Sequence, residues 1–378
     1  MSKQDRIARL EALRQSLDLD TILLTTPANL YYFSGFRTTI YTRFNGLLVG
    51  PNGGQALVTS YVDEQIAQLQ VGGPVWVRDI RIHGPIARPD VFQNHLDTMR
   101  SELAVARTIG VDGIPFALYN ELRAAYPHLD VRDISGSLNG MRGIKDAGEI
   151  ADIKRACGIA LAGLAHAQTV LAQPGISEVE LSAELEFHAR RAGADGFGYP
   201  ILISAGNERI AAPHAAPSSE KIAADTPFVR IAFAPTFNSY TTSLIRTFCP
   251  GKPPAAMQRL ADAFFVAMSD IESMLRPGAT VQDILNAVGD SYTKSGVRDL
   301  WGGDMGYSLG VTVHEPPRIG GTDTTEIAAG MVLAIMPGIR KAGEAMFHHA
   351  DVYLITDNGC ECLSKGLQQI ITYEPTRS

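Results

Sequence analysis

Leu171-Ala172-Gln173-Pro174-Gly175-Ile176-Ser177-Glu178-Val179-Glu180-Leu181 and Leu275-Arg276-Pro277-Gly278-Ala279-Thr280-Val281-Gln282-Asp283-Ile284-Leu285 are two versions of one phrase. In each, a helix runs to a Pro-Gly stop, because proline cannot continue a helix and glycine suits the turn that leaves it. A Ser or Thr then stands where the next helix needs a side-chain oxygen for its first N–H groups. Strand-like runs follow each helix pair, at 200–204, 228–234 and 240–248 in the first copy and at 305–313, 330–336 and 345–356 in the second. A duplicated α-α-β unit predicts two halves about a pseudo-twofold axis, with a pocket where their sheets meet. The whole is one folding unit of about 230 residues.

Upstream the pattern changes. Ile7, Leu10, Leu13 and Leu17 recur at helical spacing, and Thr21–Leu24 reads as a buried strand. Pro27-Ala28-Asn29 reads as a turn, and 46–49 with 55–59 as a hairpin around Pro51-Asn52-Gly53-Gly54. Helices are predicted at 62–69 and 90–103, with a further strand at 109–111. This alternation predicts an α/β domain over residues 1–140 and a second, α+β domain over 141–378. The segment 141–146 links them, and a long helix starts near Glu149.

Composition narrows the functional classes. The chain has 378 residues, a net charge of −7 and no basic run, which excludes a nucleic-acid binder. Its apolar runs are short and its start is polar, so neither a signal peptide nor a membrane span is expected, and the cytoplasm is the expected location. Four cysteines do not make a disulfide framework over this length, and Cys360-x-Cys362 has the wrong spacing for the usual zinc or redox pairs.

Chemistry concentrates in Gly306-Tyr307-Ser308-Leu309-Gly310-Val311-Thr312-Val313-His314-Glu315-Pro316-Pro317-Arg318-Ile319. The first half is small, apolar and β-branched, a short buried strand. Two prolines cannot continue a sheet ladder, so the chain is expected to leave the sheet there as a stiff loop carrying His314.

The linker Met141-Arg142-Gly143-Ile144-Lys145, the duplicated helix units, Phe237-Asn238-Ser239-Tyr240, Ile245-Arg246-Thr247-Phe248, Val313-His314-Glu315-Pro316-Pro317 and Met336-Pro337-Gly338-Ile339 together resemble the creatinase and aminopeptidase P (M24, pita-bread) superfamily. The resemblance covers essentially the whole chain. It implies a creatinase-type N-terminal domain followed by a pita-bread domain. Peptidase members hold two divalent metals with two Asp, one His and two Glu, and those positions fall here on Ala232, Ser243, Tyr307, Met336 and Ala350. A dinuclear centre needs several carboxylate oxygens to offset two dications. The expectation is therefore a member without that ligand set, with no metal and no cofactor.

The resemblance also points to the groups that are left. His214, between alanines and prolines in Ala211-Ala212-Pro213-His214-Ala215-Ala216-Pro217, matches a site His of both peptidases and creatinase. His314 matches the second, substrate-facing His of the peptidases. Side chains alternate along a strand, so His348 shares a face with Ala350, and Thr241 and Ile245 share one with Ser243. His214, Tyr307 and His348 are the expected catalytic groups, and His314, Ser243 and Thr241 are expected to bind substrate. Arg43 and Tyr41 join them from the N-terminal domain, because Arg43 falls on an Arg that in creatinase reaches a substrate carboxylate across the dimer interface. Glu315 is expected to pair with Arg246 or Arg318, and Asp351 to fix a loop.

The function expected on this footing is a metal-independent, creatinase-like hydrolase of a non-peptide C–N bond. It would act by His acid/base catalysis on a small carboxylate-bearing guanidino, amide or amidine compound, in a cytoplasmic homodimer. A non-catalytic binding protein and a cofactorless lyase or isomerase are the alternatives. A Xaa-Pro aminopeptidase ranks last.

Overall fold

Ser177 and Thr280 perform the capping that the repeated phrase demands. Each side chain accepts from the backbone N–H three residues on, at Glu180 and Asp283, whose carboxylates reach back to the capping residue's own N–H. These reciprocal capping boxes satisfy donors that a helix leaves unpaired. They sit in a computed structural model that describes residues 3–206, 209, 212, 214–341 and 345–375. The chain divides into two compact units, one reaching to Met141 and the other starting at Arg142. No described helix is long and apolar enough to cross a membrane.

The N-terminal unit is built on seven strands: β1 (Thr21–Leu24), β2 (Gly46–Val49), β3 (Gln55–Ser60), β4 (Asp79–His83), β5 (Val91–Phe92), β6 (Thr108–Val111) and β7 (Asp130–Asp133). Their order is β5-β4-β3-β2-β1-β6-β7. β2 pairs antiparallel with both β1 and β3, and the remaining neighbours run parallel. Helices α1 (Lys3–Ser16), α2 (Pro27–Ser34), α3 (Glu64–Gln70), α4 (Arg100–Leu103), α5 (Phe116–Ala125) and α6 (Ser135–Gly143) complete it. Its core gathers Leu23, Leu48, Val58, Met99, Leu103, Ile109 and Leu122.

Two local readings need correction. Pro27-Ala28-Asn29 opens α2 rather than a turn, since proline pre-sets the backbone of a first helical turn. The helix expected at 90–103 breaks into β5, a 3-10 turn at Leu96–Met99 and the four-residue α4. The reason is local: Asn94 accepts from the Leu96 N–H and Thr98 donates to the His95 carbonyl, so side chains compete with helical pairing.

The C-terminal unit plays its pattern twice. First come α7 (Ala147–Leu171) and α8 (Glu178–Arg191), then β8 (Gly196–Phe197), β9 (Leu202–Ala205), β10 (Val229–Phe233), β11 (Pro235–Phe237), β12 (Tyr240–Thr241) and β13 (Leu244–Pro250). The second half has α9 (Ala255–Met274) and α10 (Val281–Lys294). Its strands are β14 (Asp304–Ser308), β15 (Glu315–Gly320), β16 (Val332–Ile335), β17 (Ile339–Lys341), β18 (Ala345–Phe347), β19 (Asp351–Thr356), β20 (Gly359–Cys362) and β21 (Ile371–Tyr373). One half carries the sheet β21-β13-β10-β9, the other β15-β14-β16-β19-β20. A bridge between Ile245 and Ala350 stitches the two sheets together.

The proline pair behaves differently from its reading. Pro316 and Pro317 lie inside β15 instead of ending the sheet. The strand is the outer one of its sheet, where a missing N–H is tolerated, and its pairing with β14 slips between Tyr307 and Ser308. Glu315 pairs with neither Arg246 nor Arg318. It meets the wholly buried Lys145 at 3.2 Å and Arg142 at 3.5 Å. Arg318 pairs with Asp304, and Arg246 with Asp351.

Candidate active site

The strands β9, β10, β13, β14, β15, β17 and β18 bring residues to one cavity of about 1030 Å³ in the C-terminal unit. Its floor is apolar. Ala232 faces Ile245 across the β10–β13 pairing, Ile245 bridges to Ala350, and all three are buried with Tyr199, Leu202 and Met336 packed against them.

Polar groups stand on that floor. Tyr307 projects from β14 into the cavity, and its phenol oxygen lies 2.9 Å from Ser243 Oγ. Ser243 Oγ is also 2.9 Å from the phenol oxygen of Tyr199. Burial pushes both phenols above their ordinary value near 10, so both are protonated at neutral pH. Gly306 makes the placement of Tyr307 possible: with φ +148, a Cβ there would lie 1.9 Å from the Ala334 carbonyl oxygen.

The imidazoles divide by environment. Arg230 Nε donates to His348 Nδ1 at 3.1 Å, which leaves the proton of the neutral ring on Nε2. Burial, reinforced by the Arg230 charge, holds His348 well below its ordinary value, and burial brings the Arg230 guanidinium down to about 10. Gly338 lets that ring approach its backbone, since a Cβ there would sit 2.8 Å from His348 Cδ2. His314 stands at the mouth of β15 with φ +65 and meets Tyr307 edge-on, ring centres 4.1 Å apart. Burial first, then neighbouring His214, lowers its affinity for a proton. His214 is exposed and lines the same cavity, while Ala211 and Pro213 of its flanking segment lie outside the described residues.

The cavity thus gathers His214, His314, His348 and Tyr307. Thr241 and Ser243 need correction as substrate-facing groups. Both are fully buried; Thr241 donates to the Thr242 carbonyl, and Ser243 sits behind the two phenols. Arg43 and Tyr41 are exposed residues of the N-terminal unit. Asp351 opens β19 and binds Arg246 at 2.7 Å, His349 at 2.9 Å and Ser364, in the turn after β20, at 2.6 Å; these partners hold its carboxyl well below the usual range against the opposing effect of burial.

Arg230 and Tyr199 also line the cavity and were not among the expected site residues. Arg230 was legible, because it lies two positions before Ala232 on one strand and so shares its face. Tyr199 lies in the irregular segment between β8 and β9, where no period marks a side chain's direction.

Comparison with known proteins adds a second line of findings. The sequence profile of the metallopeptidase family M24 matches residues 151–357, and that of the creatinase/prolidase N-terminal domain matches 6–144. An uncharacterized peptidase of Staphylococcus saprophyticus is 26% identical over 351 residues, covering 93% of this chain and 96% of that protein. The Xaa-Pro dipeptidase of Pyrococcus furiosus is 22% identical over 369 residues, covering 97% and 100%. The solved Xaa-Pro dipeptidase from Bacillus anthracis superposes with a TM-score of 0.85 at 24% identity, covering 98% of this chain and all of its own. The expected fold class, a creatinase-type domain followed by a pita-bread domain, is the observed one. The expected activity is overturned. A creatinase-like, metal-independent hydrolase of non-peptide C–N bonds finds no counterpart among these relatives, which are named as peptidases and match a family described as metallopeptidases. The Xaa-Pro peptidases ranked last are where the similarity lies.

Proposed function

The chain belongs to the metallopeptidase family M24, and on that premise we propose that its cavity takes a short peptide of the Xaa-Pro class and serves peptide hydrolysis. The observation that carries this reading is the cavity's division into an apolar floor and a polar wall. Ala232, Ile245 and Met336 offer surface suited to a pyrrolidine ring, beside hydrogen-bond donors on Tyr307 and His348 and the charge of Arg230. Its size is that of a small-molecule cleft.

The family's description implies metal, and a two-metal centre needs several carboxylate oxygens. Among the described residues the acids on the cavity are Asp304, Glu315 and Asp323. Glu315 is held by Lys145 and Arg142, Asp304 by Arg318, and Asp323 accepts from the backbone of Arg318 and Thr325. The floor positions Ala232, Met336 and Ala350 supply no oxygen ligand. Among the described residues no three His, Cys, Asp or Glu converge as a metal-binding group. These residues do not fit a dinuclear centre, and we read the chain as a member without that ligand set.

The chain's own groups have definable roles. Tyr307 and Tyr199, kept protonated by burial, present their hydroxyl groups to the bound peptide. His348, with its proton fixed on Nε2 by Arg230, is a second neutral donor. His314 and His214 are the imidazoles placed to exchange a proton with water. A homodimer is part of the proposal, checked by light scattering of the purified chain.

Glycyl-proline tests the reading. Binding is measured by calorimetry and hydrolysis by proline release, with protein as purified, after EDTA, and with added Mn²⁺. Binding is expected in all three conditions, with release in at least one. Absence of both in all three overturns the peptide reading, and release confined to the Mn²⁺ arm overturns the reading of the ligand set.

A further inference from the structure

We propose that Tyr199, Ser243 and Tyr307 form a hydroxyl relay whose two ends open on the cavity and which carries a proton between them during turnover. The proposal rests on the peptide reading above and adds to it a route for the proton.

The three residues come from three separate segments. Tyr199 precedes β9, Ser243 stands immediately before β13, and Tyr307 belongs to β14 in the other half of the duplicated unit. Both gaps between their oxygens are 2.9 Å. Ser243 has no exposed surface, whereas the two tyrosines line the cavity. The middle of the chain is therefore shut off from water and both ends meet the ligand.

A serine hydroxyl has one proton to give and two lone pairs. Set between two phenols, it donates to one and accepts from the other, which polarises the row. The phenol that accepts from Ser243 turns its own O–H toward the cavity, and the other presents an oxygen lone pair there. Passing one proton along the row exchanges these roles.

That exchange balances hydrolysis. The attacking water loses a proton as its oxygen bonds to the carbonyl carbon, and the nitrogen gains one as the C–N bond breaks. A proton taken up at the Tyr199 oxygen releases the Tyr199 proton to Ser243. Ser243 passes its own to Tyr307, which gives its proton to the leaving nitrogen. Every oxygen in the row finishes with the one proton it began with. Burial holds both phenols above their ordinary value, so neither end is lost as a phenolate at neutral pH.

The test has two arms. In glycyl-proline turnover, Tyr199→Phe and Ser243→Ala should each lower kcat by about 100-fold with KM within about twofold, the pattern of a lost proton transfer. The double variant should be no slower than either single one. Ser243→Thr, which keeps the hydroxyl, should restore most of the rate. The second arm needs no substrate. In protein carrying [4-¹³C]tyrosine, the Tyr307 resonance, identified by its loss in Tyr307→Phe, should move when Tyr199 becomes Phe. In a Ser243→Ala background it should not. A resonance that shifts equally in both backgrounds, or in neither, overturns the relay, as does full turnover in Ser243→Ala. A wild type that cleaves no glycyl-proline overturns the peptide reading, and the tyrosine resonances then decide the hydroxyl row by themselves.

Discussion

Gly338 shows how tightly one residue can be specified by its neighbour. A single methyl there would lie 2.8 Å from His348 Cδ2 and 3.2 Å from its Nε2, well inside ordinary contact. Gly338→Ala should push the ring off Arg230 and weaken glycyl-proline binding by roughly tenfold, about 1.4 kcal/mol. Calorimetry that returns the wild-type affinity would show that His348 takes no part in binding. The position was read in sequence as part of a family-like phrase, yet its task was not legible there. The constraint comes from a side chain ten residues away, and only folding brings the two together.

Among the elements, the segment leading into α7 is tied to β15 by the buried ion pairs of Glu315 with Lys145 and Arg142. Lys145 has no exposed side-chain surface and Glu315 almost none, and the lysine also donates to Ser308 Oγ at 3.1 Å. Burial lowers the lysine's affinity for a proton, and Glu315 pulls it back. Removing one partner strands a buried charge, so Glu315→Gln should cost about 3–5 kcal/mol in denaturant unfolding. Lys145→Met with Glu315→Gln should recover most of that, and a double variant as unstable as the single one would refute the pairing argument. The two capping boxes give a smaller, matched effect: Ser177→Ala and Thr280→Ala should each cost about 1 kcal/mol. Helix stops and caps were legible because they depend on residues within one turn. The partner of Glu315 was not, because 170 positions of chain separate it from Lys145.

Across the whole molecule, buried imidazoles set the response to acid. Burial lowers His83 and His95 in the N-terminal unit and His348 and His349 in the C-terminal unit from an ordinary value of 6.5. Below that pH the unfolded chain binds more protons than the folded one, so stability is full above about 6.5 and falls as pH drops further. Asp351, whose folded value is depressed, adds a loss in the same direction at lower pH. The melting temperature should therefore fall by several degrees between pH 7.5 and 5, at roughly 2–4 °C per kcal/mol. A flat or rising profile in scanning calorimetry would contradict it. At this scale the duplication was readable from the sequence, since two capped helix pairs repeat in order. The activity was misread because an expected absence of ligands at five positions outweighed likeness along the whole chain. One last property follows from Pro316 and Pro317 in the outer strand β15. Proline has no backbone N–H, so this stretch of the outer strand lacks two of its ladder donors. A stray extended segment from another polypeptide finds its ladder interrupted there, and the exposed border of this sheet is protected against templated fibre growth.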